Sequence, residues 1–211
     1  MKPLVVLGGG GHARVIIDAA RAGVAYEPIA VLDPALSIGN KVQSVPVQGG
    51  DDELPRLLRE FPGLALIVGI GDNTLRFKIS AKLAEHYPNL VFASIFHPSS
   101  ILSADIDVEP GTFIAAGVII NCGSRVGAHA IVNTGAVIDH DAELGAGSFI
   151  GPNATLSGNV RIGARSMLGA GATIIPGAVI GSDCIIGAGA VVISDVPDGC
   201  KAVGVPARAI D

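Results

Sequence analysis

Every sixth residue from Leu102 to Val192 is aliphatic, an unbroken run of sixteen positions that passes through Val108, Ile114, Ile138 and Ile186. Self-similarity at a fixed period marks a repeat architecture. A period of six fits neither a helix at 3.6 nor a simple alternating strand at two. It fits a parallel β-helix, with short strands, tight corners and one inward aliphatic per strand. Two residues before each aliphatic the side chain is usually small, as at Ser124, Ala130, Ala136 and Ala142. The residue after it is often glycine, as at Gly127, Gly145 and Gly151, and we read these as corner glycines. Three hexads make a triangular coil, and sixteen make about five coils stacked ~4.8 Å apart.

The chain of 211 residues has room for a second domain. Hydrophobic residues are 49% of it, aromatics only 4%, and Trp is absent, so its core is Val, Ile, Leu and Ala. The net charge of −5, with no run of basic residues, argues against nucleic acid as a partner. No apolar stretch is long enough to span a bilayer. The short apolar start runs straight into glycines, so a cytoplasmic protein is expected. Three cysteines without a CxxC argue against a disulfide framework or a thiolate zinc site.

The period also sorts outward residues into faces. Asp107, Arg125, Glu143, Arg161 and Val179 make a mostly charged face, read as solvent-facing. Phe113, Ile131, Phe149, Met167 and Ile185 make an apolar stripe that needs covering. A triangular prism favours three-fold closure, so a homotrimer is expected. The third face carries Ile101, Ile119, Val137 and Thr155. From Asp195 the repeat decays, and its prolines point to a cap and tail.

Ahead of the repeat, Lys2–Leu7 reads as a strand, Gly8–Ala13 as a glycine turn, Ala13–Arg21 as a helix and Ile29–Leu32 as a second strand ending at Asp33. Gly8, Gly10 and Ala13 satisfy G-x-G-x-x-G/A between strand and helix. Such a turn brings backbone amides to a phosphate at a helix N-terminus. A dinucleotide, a nucleoside diphosphate and a ligand-free turn are all compatible. A dinucleotide needs two mononucleotide halves, and about 97 residues hold one. Asp52–Phe61 reads as a helix capped by Asp51 or Asp52, and Ala65–Ile70 as a strand. Gly71-Asp72-Asn73-Thr74 then turns into the helix Leu75–His86, capped by Asn73 or Thr74. Val91–Phe96 is a last strand. The expected domains are 1–97, an α/β nucleotide-binding unit; 98–197, the β-helix; and 198–211, a cap.

Asp139-His140-Asp141 is the motif best suited to proton transfer, because its carboxylates can orient an imidazole and stabilise its cation. Its equivalents one coil away are Cys122 and Gly158. The missing side chain at Gly158 is read as a slot for a ligand above His140. The alternative is an exposed histidine flanked by acids. A Cys122–His140 nucleophile is the weaker reading, since cysteine is also a small corner residue. His97, His129 and His140 do not converge, so no metal is expected.

These motifs, with Gly69-Ile-Gly-Asp-Asn73, Asn133, Gly158-Asn-Val160, Gly187–Val192 and Gly204-Val-Pro-Ala-Arg208, give the chain a close likeness to a known group. It resembles the left-handed β-helix acyltransferases, and as a whole the bacterial nucleotide-sugar N-acetyltransferases related to sialic-acid O-acetyltransferases. The resemblance implies left-handed coils, homotrimers with sites between subunits, and acetyl-CoA as co-substrate. It implies His140 as general base oriented by Asp141. It places the nucleotide sugar (UDP-, dTDP- or GDP-linked) on Gly10, Gly11, His12, Asp33, Gly71, Asp72 and Asn73, with Asn133 and Asp139 as further substrate contacts. Coenzyme contacts fall on Phe149, Gly158, Ala170 and Ala188. Two departures stand out. Relatives often carry a histidine at Phe149, which cannot donate a hydrogen bond, so carbonyl polarisation falls to backbone N–H groups near Gly158. Relatives often carry a second Asp at Pro34. The expected reaction is acetyl transfer to the amine of a nucleotide-linked 4-amino-4,6-dideoxyhexose. O-acetylation of a sugar such as sialic acid, and a non-catalytic nucleotide-binding scaffold, are the alternatives.

Overall fold

The computed structural model describes residues 1–210, in two compact units that meet at Pro98 and Ser99.

The first unit is a six-stranded sheet with helices. Its elements are β1 (Lys2–Leu7), α1 (Gly11–Ala22), β2 (Tyr26–Leu32), β3 (Lys41–Val42), β4 (Val45–Gly49), α2 (Leu54–Glu60), β5 (Ala65–Val68), α3 (Asn73–His86) and β6 (Val91–Phe92). The strand order is β3-β4-β2-β1-β5-β6. β1 pairs in parallel with both β2 and β5. The chain therefore leaves β1 to one side and returns on the other, which opens a crevice beyond the strand ends. Val5, Leu7, Leu32, Leu66, Leu54 and Leu83 form the core under α2 and α3. This burial explains the continuous apolar runs of β1 and β5.

Several local expectations need correction. α1 starts at Gly11, and β2 at Tyr26. β5 stops at Val68, and the last expected strand breaks into Val91–Phe92 and Ile95–Phe96. Asp51–Glu53 forms a 3₁₀ turn leading into α2, with no side-chain cap. The cap of α3 is Asp72, whose carboxylate accepts from Leu75 N–H at 2.7 Å, not Asn73 or Thr74. The β3–β4 hairpin had no sequence signal.

The second unit contains sixteen two-residue strands, from Ile101–Leu102 to Val191–Val192. They stack in three parallel sheets with a register of three hexads, such as Val137↔Thr155, Glu143↔Arg161 and Ile131↔Phe149. This is a left-handed β-helix. From Ile114 on every aliphatic of the series is buried, and so is every residue two before it from Thr112 to Ala190.

The corners are not where the glycines after each aliphatic suggested. The left-handed backbone falls three residues after each aliphatic, at every such position from Gly111 to Gly189. His129, Asp141, Asn153, Asn159, Arg165 and Asp183 share it with glycines. The glycines one residue after the aliphatic serve close stacking instead. A Cβ on Gly145 would lie 2.5 Å from the Ala164 nitrogen, and one on Gly169 2.4 Å from the Ala188 nitrogen. Gly145, Gly163 and Gly181 thus run up one edge of the prism, and Gly151, Gly169 and Gly187 up another.

All five residues of the charged face are exposed, and Arg161 pairs with Glu143 at 3.7 Å. The apolar stripe is only partly bare. Phe113 and Ile131 are buried, Phe149 is half-buried, and Met167 and Ile185 are exposed. The tail is also more ordered than expected. Lys201–Val203 adds in parallel to Ile185–Ile186, and Arg208–Ile210 folds back antiparallel.

Candidate functional site

In the first unit, Gly8 closes β1 with φ +100°. Gly9 N–H then donates to Asp33 Oδ2 at 2.7 Å, and Ala35 N–H to Oδ1 of the same carboxylate at 2.9 Å. Asp33 thus ties the glycine turn to the loop after β2. A Cβ on Gly9 would meet Leu36 at 2.4 Å, whereas Gly10 and Gly11 face open space. Gly10 is the N-cap of α1 and offers no side chain to its first amides. These amides are therefore available to an anion.

They open on a cavity of about 560 Å³. Gly10, Gly11, His12, Asp33 and Gly71 line it, but Asp72 and Asn73 do not. Those two serve α3 instead: Asp72 caps it, and Asn73 Oδ1 accepts from Arg76 at 2.9 Å. Arg76 is a residue that sequence reasoning missed. It is buried beneath the second glycine turn and donates to the carbonyls of Ile70 and Gly71 at 3.1 and 3.0 Å. Its position one turn into α3 was the available signal. Burial lowers its pKa to about 10. Burial, then the Arg76 charge, lowers His12 to about 4, so that imidazole is neutral near pH 7.

In the second unit, His140 and Asp141 occupy one corner. Asp141 takes the left-handed corner conformation at φ 56°, which aspartate tolerates better than most residues. Its Oδ2 lies 2.8 Å from His140 Nδ1. An ionised carboxylate only accepts, so Nδ1 carries the proton and Nε2 is the free base. The Asp141 hydrogen bond, then the Asp139 charge, raises the His140 pKa above its ordinary value. The side chain remains half exposed.

The coil below fixes this corner. Asp139 Oδ1 accepts from His140 N–H at 2.8 Å and from Asn121 Nδ2 at 2.9 Å. Buried Ser124 donates to the Asp139 carbonyl at 3.0 Å and accepts from Ala142 N–H at 3.1 Å. Asn121 and Ser124 also escaped sequence reasoning; a polar residue eighteen before the motif was the signal for Asn121. The coil above completes the corner. A Cβ on Gly158 would lie 2.6 Å from both Cε1 and Nε2 of His140. The space above the histidine is thus filled by its own ring, and Gly158 is a seat for the imidazole rather than a slot for a ligand.

Asn133, Phe149, Ala170 and Ala188 do not converge on His140 within one chain. Ala170 and Ala188 stack one coil apart, with Gly189 N–H donating to the Ala170 carbonyl at 2.8 Å. They are exposed, on the edge that follows the Phe149 face; half-buried Asn133 lies on the same edge. His140 and Gly158 follow the Val137 face. Among the described residues no group of three or more His, Cys, Asp or Glu is placed to hold a metal. Nor, among the described residues, is any helix long and apolar enough to cross a membrane.

Residues 3–83 match the PglD N-terminal domain, and residues 141–175 and 159–194 match the bacterial transferase hexapeptide (six repeats). A perosamine N-acetyltransferase variant from Caulobacter crescentus, solved with CoA and GDP-perosamine, is 44% identical. The match covers 100% of this chain and 98% of that one, with a TM-score of 0.90. The acetyltransferase domain of PglB from Neisseria gonorrhoeae FA1090, solved with acetyl coenzyme A, is 34% identical, with 99% of each chain covered and a TM-score of 0.92. The UDP-N-acetylbacillosamine N-acetyltransferase of Bacillus subtilis (strain 168) is 36% identical over 118 residues, 55% of this chain and about half (52%) of that protein. With the glycine turn and the repeat both matched, the chain belongs to the left-handed β-helix family of nucleotide-sugar N-acetyltransferases.

Proposed function

We propose that the protein transfers an acetyl group from acetyl-CoA to the amine of a nucleotide-linked 4-amino-4,6-dideoxyhexose, with His140 as general base. The observation that carries this reading is the His140–Asp141 pair, seated against Gly158 above and preceded by Asp139, which accepts from His140 N–H and is itself held by hydrogen bonds from Asn121 and Ser124 below. A surface histidine would not need that support. The uncapped amides of α1 give the nucleotide diphosphate its anion site. Gly10, Gly11, His12, Asp33 and Gly71 remain the substrate contacts we assign, since they line the cavity. Asp72 and Asn73 support the turn from behind.

Acetyl-CoA supplies the acetyl group as a thioester. His140 Nε2 takes the proton that the sugar amine loses as its nitrogen bonds the thioester carbon. Asp141 stabilises the imidazolium that results. The Gly158 N–H makes no hydrogen bond among the described residues, and we assign it to the developing oxyanion. The C–S bond then breaks, and CoA leaves as its thiolate. The reaction has no place for an acyl-enzyme.

Phe149, Ala170 and Ala188, with Asn133, lie on another edge, so a single site that uses all these residues needs a second copy of the chain. We infer a homotrimer, whose seam covers the exposed Met167 and Ile185. A monomeric mass by light scattering refutes it. The reading also places the enzyme in the cytoplasm, where acetyl-CoA and nucleotide sugars are available.

The test is CoA thiol release with UDP-, dTDP- and GDP-linked 4-amino sugars against sialic acid. His140→Ala is expected to lower kcat by about 10²–10⁴ with KM nearly unchanged. Wild-type turnover in that variant removes His140 from the mechanism. Release with sialic acid alone favours O-acetylation, and no release with any acceptor leaves a scaffold.

A further inference from the structure

We propose that Asp51 and Lys82 read the nucleobase, and that this pair selects guanine; the inference rests on the nucleotide site proposed above. The cavity of the first unit is longer than a diphosphate needs. Its phosphate end is set by the uncapped N-terminus of α1, and α3 begins beside it, since a Cβ on Gly71, just before α3, would lie 3.9 Å from the His12 side chain in the first turn of α1. Along α3 the lining then continues through Leu75, Ile79, Lys82 and Leu83. Ten residues separate the cap Asp72 from Lys82, about 15 Å of helix at 1.5 Å per residue. That is the reach of a whole nucleoside, with an apolar wall for its ring: Leu75 is 46% exposed and faces this space.

Asp51 and Lys82 both line the cavity, and both also border the smaller pocket beside it. Both are exposed. Among the described residues neither side chain makes a hydrogen bond or ion pair. A carboxylate only accepts and an ammonium only donates. Guanine presents adjacent N1–H and N2–H donors, which a carboxylate takes with both oxygens, beside an O6 acceptor for the ammonium. Uracil and thymine present one N–H between two carbonyls, so the second carboxylate oxygen faces another acceptor. Adenine and cytosine present an unprotonated ring nitrogen to it. Guanine alone engages both carboxylate oxygens while still offering an acceptor to the ammonium, and a site built to hydrogen-bond a group discriminates strongly against an analogue that lacks it.

Calorimetry on the full chain, with GDP, inosine diphosphate, UDP and dTDP, tests this. GDP is expected to bind about tenfold or more tighter than inosine diphosphate, which lacks the 2-amino group, and tighter still than UDP or dTDP. Asp51→Ala is expected to weaken GDP about 10- to 100-fold, to weaken UDP less than about threefold, and to erase the preference over inosine diphosphate. Lys82→Met is expected to weaken GDP and inosine diphosphate alike. Equal binding of all four, tighter UDP or dTDP, or an Asp51→Ala loss shared by every nucleotide overturns the base assignment and leaves the nucleotide site standing. If no nucleoside diphosphate binds, the functional reading falls and this inference falls with it.

Discussion

Gly158→Ala isolates the geometry of the proposed base. Gly158 does not have a positive φ, so its backbone accepts alanine. The new Cβ would stand 2.6 Å from Cε1 and Nε2 of His140. Ordinary carbon contacts begin near ~3.5 Å, so the ring must move by roughly 1 Å or rotate away. His140 can move, because its side chain is half exposed. In moving it gives up the 2.8 Å bond to Asp141. A displacement of that size costs about 10²-fold in rate. Folding stability should change little, because replacing glycine at a compatible position gains about 0.4–1 kcal/mol through the unfolded chain. The assay is steady-state CoA release in four proteins: wild type, Gly158→Ala, His140→Ala and the double variant. Gly158→Ala is expected to lower kcat about 10²-fold alone and less than about twofold when His140 is already alanine. An equal loss in both backgrounds refutes the steric argument.

Four further outcomes follow from the same geometry. The proposed base works neutral, and its pKa is raised by Asp141 and Asp139, so kcat/KM should rise with pH through a value above 6.5; Asp141→Asn should move that limb to lower pH, and an unmoved limb refutes the pairing. The folded-state pKa of His12 lies below its unfolded value, at about 4 against 6.5, so its contribution is present above pH 6.5 and is lost as pH falls towards 4. That amounts to about 3 kcal/mol at most, and denaturation of His12→Asn across this range should show a flatter profile. Gly163→Ala places a Cβ 2.4 Å from the Gly181 backbone and should destabilise by about 3 kcal/mol. Gly171→Ala, at φ +66° in open space, should cost about 1–2 kcal/mol, and the opposite order of melting temperatures refutes the stacking account. Ser124→Ala leaves the Asp139 carbonyl and the Ala142 N–H without their buried partner, about 1–3 kcal/mol, which chemical denaturation would read.

The β-helix was legible because each hexad repeats one solution to one packing problem, so sixteen weak signals added up. Its corners were misplaced because glycine answers two demands. After Leu144 it answers steric crowding from the next coil, while at Gly147 it answers a positive φ. The letters alone do not separate these. The β3–β4 hairpin was invisible for a different reason: its turn uses Gln43 and Ser44, both at positive φ, where Asn-Gly is the recognisable pair. The histidine corner could be found by phase, since Asp139-His140-Asp141 is polar in a mostly apolar stretch. What holds it left a fainter signal, because Asn121 and Ser124 act from the preceding coil and look like any polar residue in a repeat. Arg76 was overlooked because a basic residue on a helix is usually a solvated one.

The tight stacking of coils also decides where chemistry can be placed on such a prism. From Gly127 up one edge and from Gly151 up another, the residue beside each corner has no room for a Cβ beneath the next coil. From those glycines on, both edges are closed to any acid, base or hydrogen-bonding group at that address, whereas the earlier coils keep Glu109 and Asn133 there. The third edge holds Ser103, Asn121, Asp139, Ser157, Ile175 and Ile193 in the same place, with side chains throughout. A functional triplet such as Asp139-His140-Asp141 can therefore be moved up or down its own edge by whole coils, but not round to a neighbouring one. The repeat thus zones its own surface, with the later coils of two edges closed at that address and the third edge open along its whole length.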